Sequence, residues 1–372
     1  MVAEGSCHPS FEPLRALFES RLADGSEHGA SIAVVRDGET VVDLWGGQAA
    51  PGRPWERDTI VQTWSITKTM SALTMLVLAD RGVVDLDAPA AAYWPGFARD
   101  DVLVRHLLSH TSGYAGWSDP LDAAGLMDLP YAESLLAAQE PWWEPGTASG
   151  YHMLSQGHLL DAVVRGATGS TLAEQFRTLV AEPLGADFHL GVPDDALDRC
   201  ADLVPPPAGS IDISALPEGN LLVPTLANPF LDVGGFCNTA PWRRVSVAAA
   251  NGHGNARSIA RIQSVVSHGG GDLLSNETVE RIFEVQAEGT DLVLLVPLRW
   301  GIGYALPTPT APAVPDGRVC WWTGYGGSIV VNDLDRRTTV AYAMNRMVPH
   351  FTSSPRTDAY VRTAFACLEE AA

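Results

Sequence analysis

The sequence predicts an α+β fold: a largely antiparallel sheet built from strands at both ends of the chain, flanked by helices, with a mostly helical region between them. Three observations predict it. β-rich runs fill Ser31 to Gly47 near the start and Gly327 to Asn345 near the end. Nothing between Ala115 and Glu182 reads as a strand. A final helical pattern, Asp358 to Glu370, closes the chain.

Each element has a local cause. Asp37-Gly38 sits between two β-rich runs, which is a hairpin signal. Trp64 to Gly82 carries apolar residues at helical spacing and ends in Arg81 and a glycine stop. VVDLDAP then turns the chain, and Asp100 and Asp101 open a helix over Val102 to Ser109 that stops at HTSG, His110 to Gly113. Tyr151 to Val164, Leu172 to Leu184 and Asn255 to His268 read as three further helices. The proline-rich stretches Val204 to Gly209 and Ala305 to Gly317 read as surface loops able to border a pocket. WGIGYAL returns the chain to β, and Asn332 to Arg336 turn the last hairpin. The expected organisation is one unit over 1–372, with a discontinuous α/β part at about 1–65 and 245–372 and a helical part at about 66–244. The active site is expected between the two.

Composition narrows the function. The 372 residues are 46% hydrophobic and 18% charged, as in a globular protein with a large core. With 24 basic and 44 acidic side chains the net charge is −20, which argues against nucleic acid and anionic membrane partners. The first residues lack the basic and apolar regions of a secretory signal. The longest apolar run, Leu73 to Ala79, is too short to span a bilayer. The five cysteines are widely separated and form no C-x-x-C pair, so thiols in a reducing cytoplasm are expected.

Of the 24 basic residues, 23 are arginine, and Lys68 is the only lysine. Arginine stays protonated in proteins, whereas a buried lysine loses its proton readily. Lys68 falls in Ser65-Ile66-Thr67-Lys68, at the start of a helix. Residues i and i+3 share a helix face, so the amine reaches the Ser65 hydroxyl. A serine is a poor nucleophile until a base takes its proton, and the helix N-terminus favours the alkoxide. A second element is Gly150-Tyr151-His152, after the loop WWEPGT. The third is Trp322-Thr323-Gly324-Tyr325-Gly326-Gly327-Ser328, whose glycines let a backbone or ligand approach a strand closely.

Together with LLSHTSG, VVDLDAP and NGHGNARSIARI, these motifs resemble the serine β-lactamase and penicillin-binding-protein superfamily, in its class C-like branch and nearest the family VIII carboxylesterases. The resemblance runs from about Ser31 to Arg346. It implies a β-lactamase-like sheet of about five strands with a helical subdomain, and an acyl-serine intermediate without metal or cofactor. It implies that Ser65 is the nucleophile, that Lys68 and Tyr151 share the acid–base work, and that the N–H groups of Ser65 and Tyr325 form the oxyanion hole. Trp322, Gly324, Met153 and His152 are the expected substrate-binding residues. Two positions depart from the family pattern. Trp322 stands where lysine or histidine is common, and Met153 where asparagine is common. Neither replaces the group that holds a β-lactam's carboxylate or amide.

The expected function is therefore cleavage of a small, uncharged, apolar carboxylic ester. An acyltransferase or amidase with the same Ser65–Lys68–Tyr151 site is the alternative, and a β-lactamase or D,D-peptidase the third. A non-catalytic binding protein on this fold would not need an intact nucleophile and base. Trp322 reads equally as core packing, and His152 equally as a surface residue. There is no G-x-S-x-G elbow, no H-E-x-x-H and no P-loop. His106 and His110 lack a third ligand for a metal.

Overall fold

The computed structural model describes residues 2–210, 214 and 216–370. Its sheet joins β1 (Glu4–Cys7), β2 (Gly29–Arg36), β3 (Glu39–Ala50), β4 (Val319–Thr323), β5 (Ile329–Asp333) and β6 (Thr338–Met344). All pairings are antiparallel, in the order β1-β3-β2-β6-β5-β4, and the short strand Arg53–Pro54 adds to β3 to make seven. The sheet thus exceeds the expected five strands. Glu4–Cys7 carries no alternating pattern, and pairs because the edge of β3 is open to it, with Glu4 opposite Trp45.

Both ends of the chain meet in the middle of this sheet, where β2 pairs with β6 along seven positions, from Ala30 opposite Met344 to Arg36 opposite Thr338. The hairpin before it turns at Asp37 (φ 48°) and Gly38 (φ 81°), two successive left-handed residues that match strand twist. The last hairpin turns at Leu334 to Arg337, later than its sequence suggests, because Asn332 and Asp333 still pair with Thr339 and Thr338.

Strands β2, β5 and β6 are buried along nearly their whole length, so helices cover both faces. Thr339 points to one face and hydrogen-bonds Ser267 at the end of the helix Ala256–Ser267. Tyr342, three residues on and so on the other face, packs on Tyr360 of the C-terminal helix Pro355–Glu370. Beside that helix lies Glu12–Asp24, which buries Leu14, Phe18 and Leu22 at i, i+4 and i+8. In chain order these helices are α1 (Glu12–Asp24), α2 (Thr67–Asp80), α3 (Ser155–Thr168), α4 (Ala256–Ser267) and α5 (Pro355–Glu370).

Helix α2 is buried at every position from Thr67 to Leu78, and touches α4 on one side and α3 on another. A helix enclosed all round has no polar face to give to water. Two helical expectations change in detail. Tyr151 to Leu154 lie outside α3, because their backbone groups bond His110 and Asp291 instead of a helical ladder. The stretch Leu172 to Leu184 is broken: an α-turn to Phe176, a π-turn over Arg177–Ala181, then Glu182–Leu184, where Pro183 lacks the N–H an α-ladder needs. No helix among the described residues is long and apolar enough to cross a membrane.

Candidate active site

Ser65 lies in a single 3-10 turn, Trp64–Ile66, that leads into α2. Trp64 holds φ 48°, a left-handed conformation that bulky residues avoid and that the fold must enforce. The Thr67 hydroxyl does so in part, donating to the Trp64 carbonyl while accepting the Gly252 N–H. The serine is thereby presented at the end of a buried helix, one turn ahead of Lys68.

Lys68 is 2% exposed, with Nζ 3.2 Å from Ser65 Oγ, 2.7 Å from the Met153 carbonyl and 2.9 Å from the Ala249 carbonyl. Complete burial holds this amine well below its usual value, because a charge there would lose its water. A neutral amine has two N–H groups and one lone pair. In that form Met153 O and Ala249 O match the two N–H groups, and the lone pair is left for the Ser65 hydroxyl, 3.2 Å away.

Tyr151 stands next to Lys68. Its hydroxyl lies beside Ser65 and accepts the Trp322 Nε1–H at 2.9 Å, and Lys68 Nζ lies 4.7 Å from its ring centre. Burial pushes its phenol above the usual value; the bonds to Ser65 and Trp322 work against that, and the Asp291 charge adds to it. The Tyr151 backbone is fixed by Asp291, whose Oδ1 accepts its N–H at 2.9 Å as well as those of Val293 and Leu294. Trp300 donates to Asp291 Oδ2 at 3.4 Å and stacks its ring parallel to Tyr151. No sequence signal marked Asp291 or Trp300, since one acid and one tryptophan in an apolar run look like ordinary core.

The remaining expected residues divide. Met153 lines the cavity beside Ser65. His152 does not: it is fully buried, with Nδ1 2.6 Å from the Gly150 carbonyl and Nε2 2.6 Å from Ser112 Oγ. Burial pushes it down to about 3, so it is a neutral ring that braces the tyrosine loop on the HTSG turn. The reading of His152 as a substrate contact is corrected accordingly. Trp322 is 2% exposed and stands behind Tyr151, not in the cavity wall, because its indole N–H is directed at the phenol. Gly324 packs on the segment that leads into Ser65, where an added Cβ would sit 2.1 Å from the Thr63 carbonyl. In the same turn, the N–H groups of Gly324, Gly326 and Gly327 bond Ser328 O, His350 O and Gly324 O. That of Tyr325 has no acceptor among the described residues.

In front of Ser65 opens a cavity of about 630 Å³. Its walls include Trp64, Met153, Leu226, Val233, Tyr325 and Phe351, and Phe230 stands 73% exposed at it. Pro205 to Ser210 form part of the wall, as the first proline-rich stretch suggested; the second lies elsewhere. Among the described lining residues none is lysine, arginine or histidine, and Asp232 is the one charged group. No cluster of three His, Cys, Asp or Glu side chains among the described residues is placed to hold a metal.

Known proteins resemble this chain in sequence and fold. Residues 14–365 match the Beta-lactamase family. The chain is 33% identical to the esterase/β-lactamase LipL of Mycobacterium tuberculosis, over 92% of this chain and 83% of LipL. It is 30% identical to the esterase EstB of Burkholderia gladioli, over 86% of each. Its fold superposes on a crystal structure of a family VIII carboxylesterase with TM-score 0.91 at 35% identity, covering 99% of this chain and 100% of that one. A penicillin-binding-protein homologue from Caulobacter crescentus gives 0.89 at 33% identity, with 99% and 100% covered. The protein described here belongs to the β-lactamase family.

Proposed function

We propose that this chain is a serine carboxylesterase acting on uncharged, apolar esters through an acyl-serine. The observation that carries the reading is the Lys68 amine: buried, its pKa held well below the usual value, with Nζ within hydrogen-bond distance of two backbone carbonyls and of the Ser65 hydroxyl. The Ser65 proton passes to Lys68 Nζ as Oγ bonds to the ester carbonyl carbon. The carbonyl oxygen takes up the charge between the N–H groups of Ser65 and Tyr325, donors that contribute about 3–4 kcal/mol each in comparable sites. The C–O bond to the leaving alcohol then breaks, and the alkoxide takes a proton from the Tyr151 hydroxyl, which Lys68 restores. Water repeats the sequence on the acyl-serine and frees the acid.

The alcohol and acyl groups lie in the apolar cavity, whose lack of a cation disfavours a substrate carboxylate. LipL and EstB are named as esterases, which fits the same chemistry. A reducing compartment such as the cytoplasm suits Cys200, Cys237 and Cys320, which are buried thiols.

The test is labelling with a fluorophosphonate alongside hydrolysis of p-nitrophenyl butyrate. Wild type is expected to take one label, on Ser65, and Ser65→Ala to lose both label and hydrolysis. Labelling of another serine, or full hydrolysis by Ser65→Ala, would reject the reading.

A further inference from the structure

The Tyr325 N–H has a support on the far side of its turn. Gly326 and Gly327 sit at φ 98° and 124°, where glycine's freedom is needed, so the turn has little stiffness of its own. It is closed by the Gly327 N–H bonding the Gly324 carbonyl at 3.0 Å. That carbonyl belongs to the same peptide unit as the Tyr325 N–H. In a trans peptide C=O and N–H point in opposite directions. Whatever fixes Gly327 therefore aims the Tyr325 donor.

Two side chains from the first turn of α5 hold the turn. Arg356, 9% exposed, donates through Nη2 to the Gly326 carbonyl at 2.9 Å and to the Arg346 carbonyl at 2.7 Å. The neighbouring Thr357 hydroxyl donates to the Gly327 carbonyl at 2.8 Å. Behind Arg356 is Glu27, 1% exposed, with Oε1 3.5 Å from Arg356 Nε and accepting the Tyr342 hydroxyl at 2.6 Å. Around the pair lie Phe18, Tyr342 and Tyr360, and Arg21, which stands 4.7 Å over the Tyr360 ring and donates to the Arg356 carbonyl at 2.9 Å. A buried ion pair in such a core is seldom kept for stability, since apolar replacements are often neutral or better. A guanidinium does offer donors in a rigid plane.

We propose that Glu27, Arg356 and Thr357 are positioning residues for the oxyanion hole, holding the Gly324–Gly327 turn so that the Tyr325 N–H faces the reacting oxygen. Glu27 orients Arg356, Arg356 and Thr357 pin two successive carbonyls, and the closed turn transmits the constraint. The proposal rests on the acyl-serine reading above.

The test compares Arg356→Met, Arg356→Lys and Thr357→Val with wild type. It reads kcat and KM for p-nitrophenyl butyrate, affinity for phenylboronic acid and melting temperature. The boronic acid bonds the serine oxygen through boron, gives the serine proton to the base, and becomes a tetrahedral anion. Arg356→Met is expected to lower kcat and boronate affinity together by about 10–100-fold, less than outright loss of a donor, with KM changed by less than about threefold. Arg356→Lys is expected to recover part of both, and Thr357→Val to lose about three- to tenfold in both. Should Arg356→Met not fold, Thr357→Val decides alone. Folded variants with wild-type kcat and boronate affinity overturn the proposal. So does a loss of kcat that follows melting temperature while boronate affinity holds. Fluorophosphonate labelling of wild-type Ser65 judges the parent reading separately: if Ser65 is not labelled, both fall.

Discussion

The two sides of Ser65 are built on opposite principles. On one side Lys68, Tyr151, Asp291 and Trp322 form a buried network with donors matched to acceptors between 2.7 and 3.2 Å. On the other is a cavity of about 630 Å³ with apolar walls, borrowed largely from segments far away in sequence, the loop Pro205 to Ser210 and the short helix and loop from Val223 to Gly234. The network is held by helix α2 and by backbone carbonyls, so its geometry follows from the fold. The cavity is held by side-chain packing of loops, which tolerate change. On the proposed function, the network carries the chemistry and the cavity the selectivity.

Breaking the network should have the largest consequence. Lys68→Met removes the base and is expected to reduce kcat/KM for p-nitrophenyl butyrate by about 10⁴-fold or more. Activity within about tenfold of wild type would mean that another group takes the serine proton. Tyr151→Phe keeps the ring but removes the hydroxyl between Ser65 and Trp322, and is expected to slow turnover by about 10²–10⁴-fold. A near-normal rate would take Tyr151 out of the proton path.

The cavity is probed by substrate choice instead of mutation. A cephalosporin such as nitrocefin carries a carboxylate that needs a cation when it leaves water, and the described cavity residues include none. Its kcat/KM on the same preparation is expected to be about 10³-fold below that for p-nitrophenyl butyrate. Comparable values would show that the two regions do not divide the work as described. They would also place the chain with the β-lactam side of LipL's double name.

Trp322 backs the network from behind Tyr151 and should give the smallest effect. Trp322→Phe removes one donor to the Tyr151 hydroxyl and leaves the packing, a loss of about tenfold in kcat/KM with little change in nitrocefin turnover. If ester turnover is unchanged, the indole N–H contributes only to packing.

How much of this was legible in the sequence follows the same division. Ser65 and Lys68 are i and i+3 on one helix, and Asp37-Gly38 is a local hairpin signal, so short-range rules find both. Glu12–Asp24 has the signal, Leu14, Phe18 and Leu22 after Pro13, but five charged side chains interrupt it and its apolar stripe does not stand out. The strand Glu4–Cys7 exists through its partner alone. Residue type says little about direction. Trp322 was recognised as a departure from the family pattern, yet its indole N–H turns to Tyr151 and not to substrate. His152 sits beside the tyrosine in sequence, but alternate residues of an extended loop face opposite ways, and its ring turns into the core. Asp291 and the cavity wall at Val223 to Gly234 act through long-range contacts that no local pattern records.

The central claim is the neutral amine, and the chain's own composition makes it measurable. Lys68 is the only lysine among 372 residues, so protein grown on lysine labelled with ¹³C at Cε and ¹⁵N at Nζ gives a single side-chain resonance. Its burial predicts a titration midpoint well below the ordinary ~10.4, with kcat/KM for p-nitrophenyl butyrate falling on the acid side as the amine takes up a proton. The sign has a counterpart in stability. Between the folded midpoint and ~10.4 the unfolded chain binds the proton that the folded chain does not, so stability rises with pH across that window, a slope that Lys68→Met lacks. A Cε shift that already reports the free amine at neutral pH, and moves only on the acid side of the rate profile, is the predicted result. A resonance that stays in its charged position up to ~10.4 would contradict the account and pass the role of resting base to Tyr151 as phenolate.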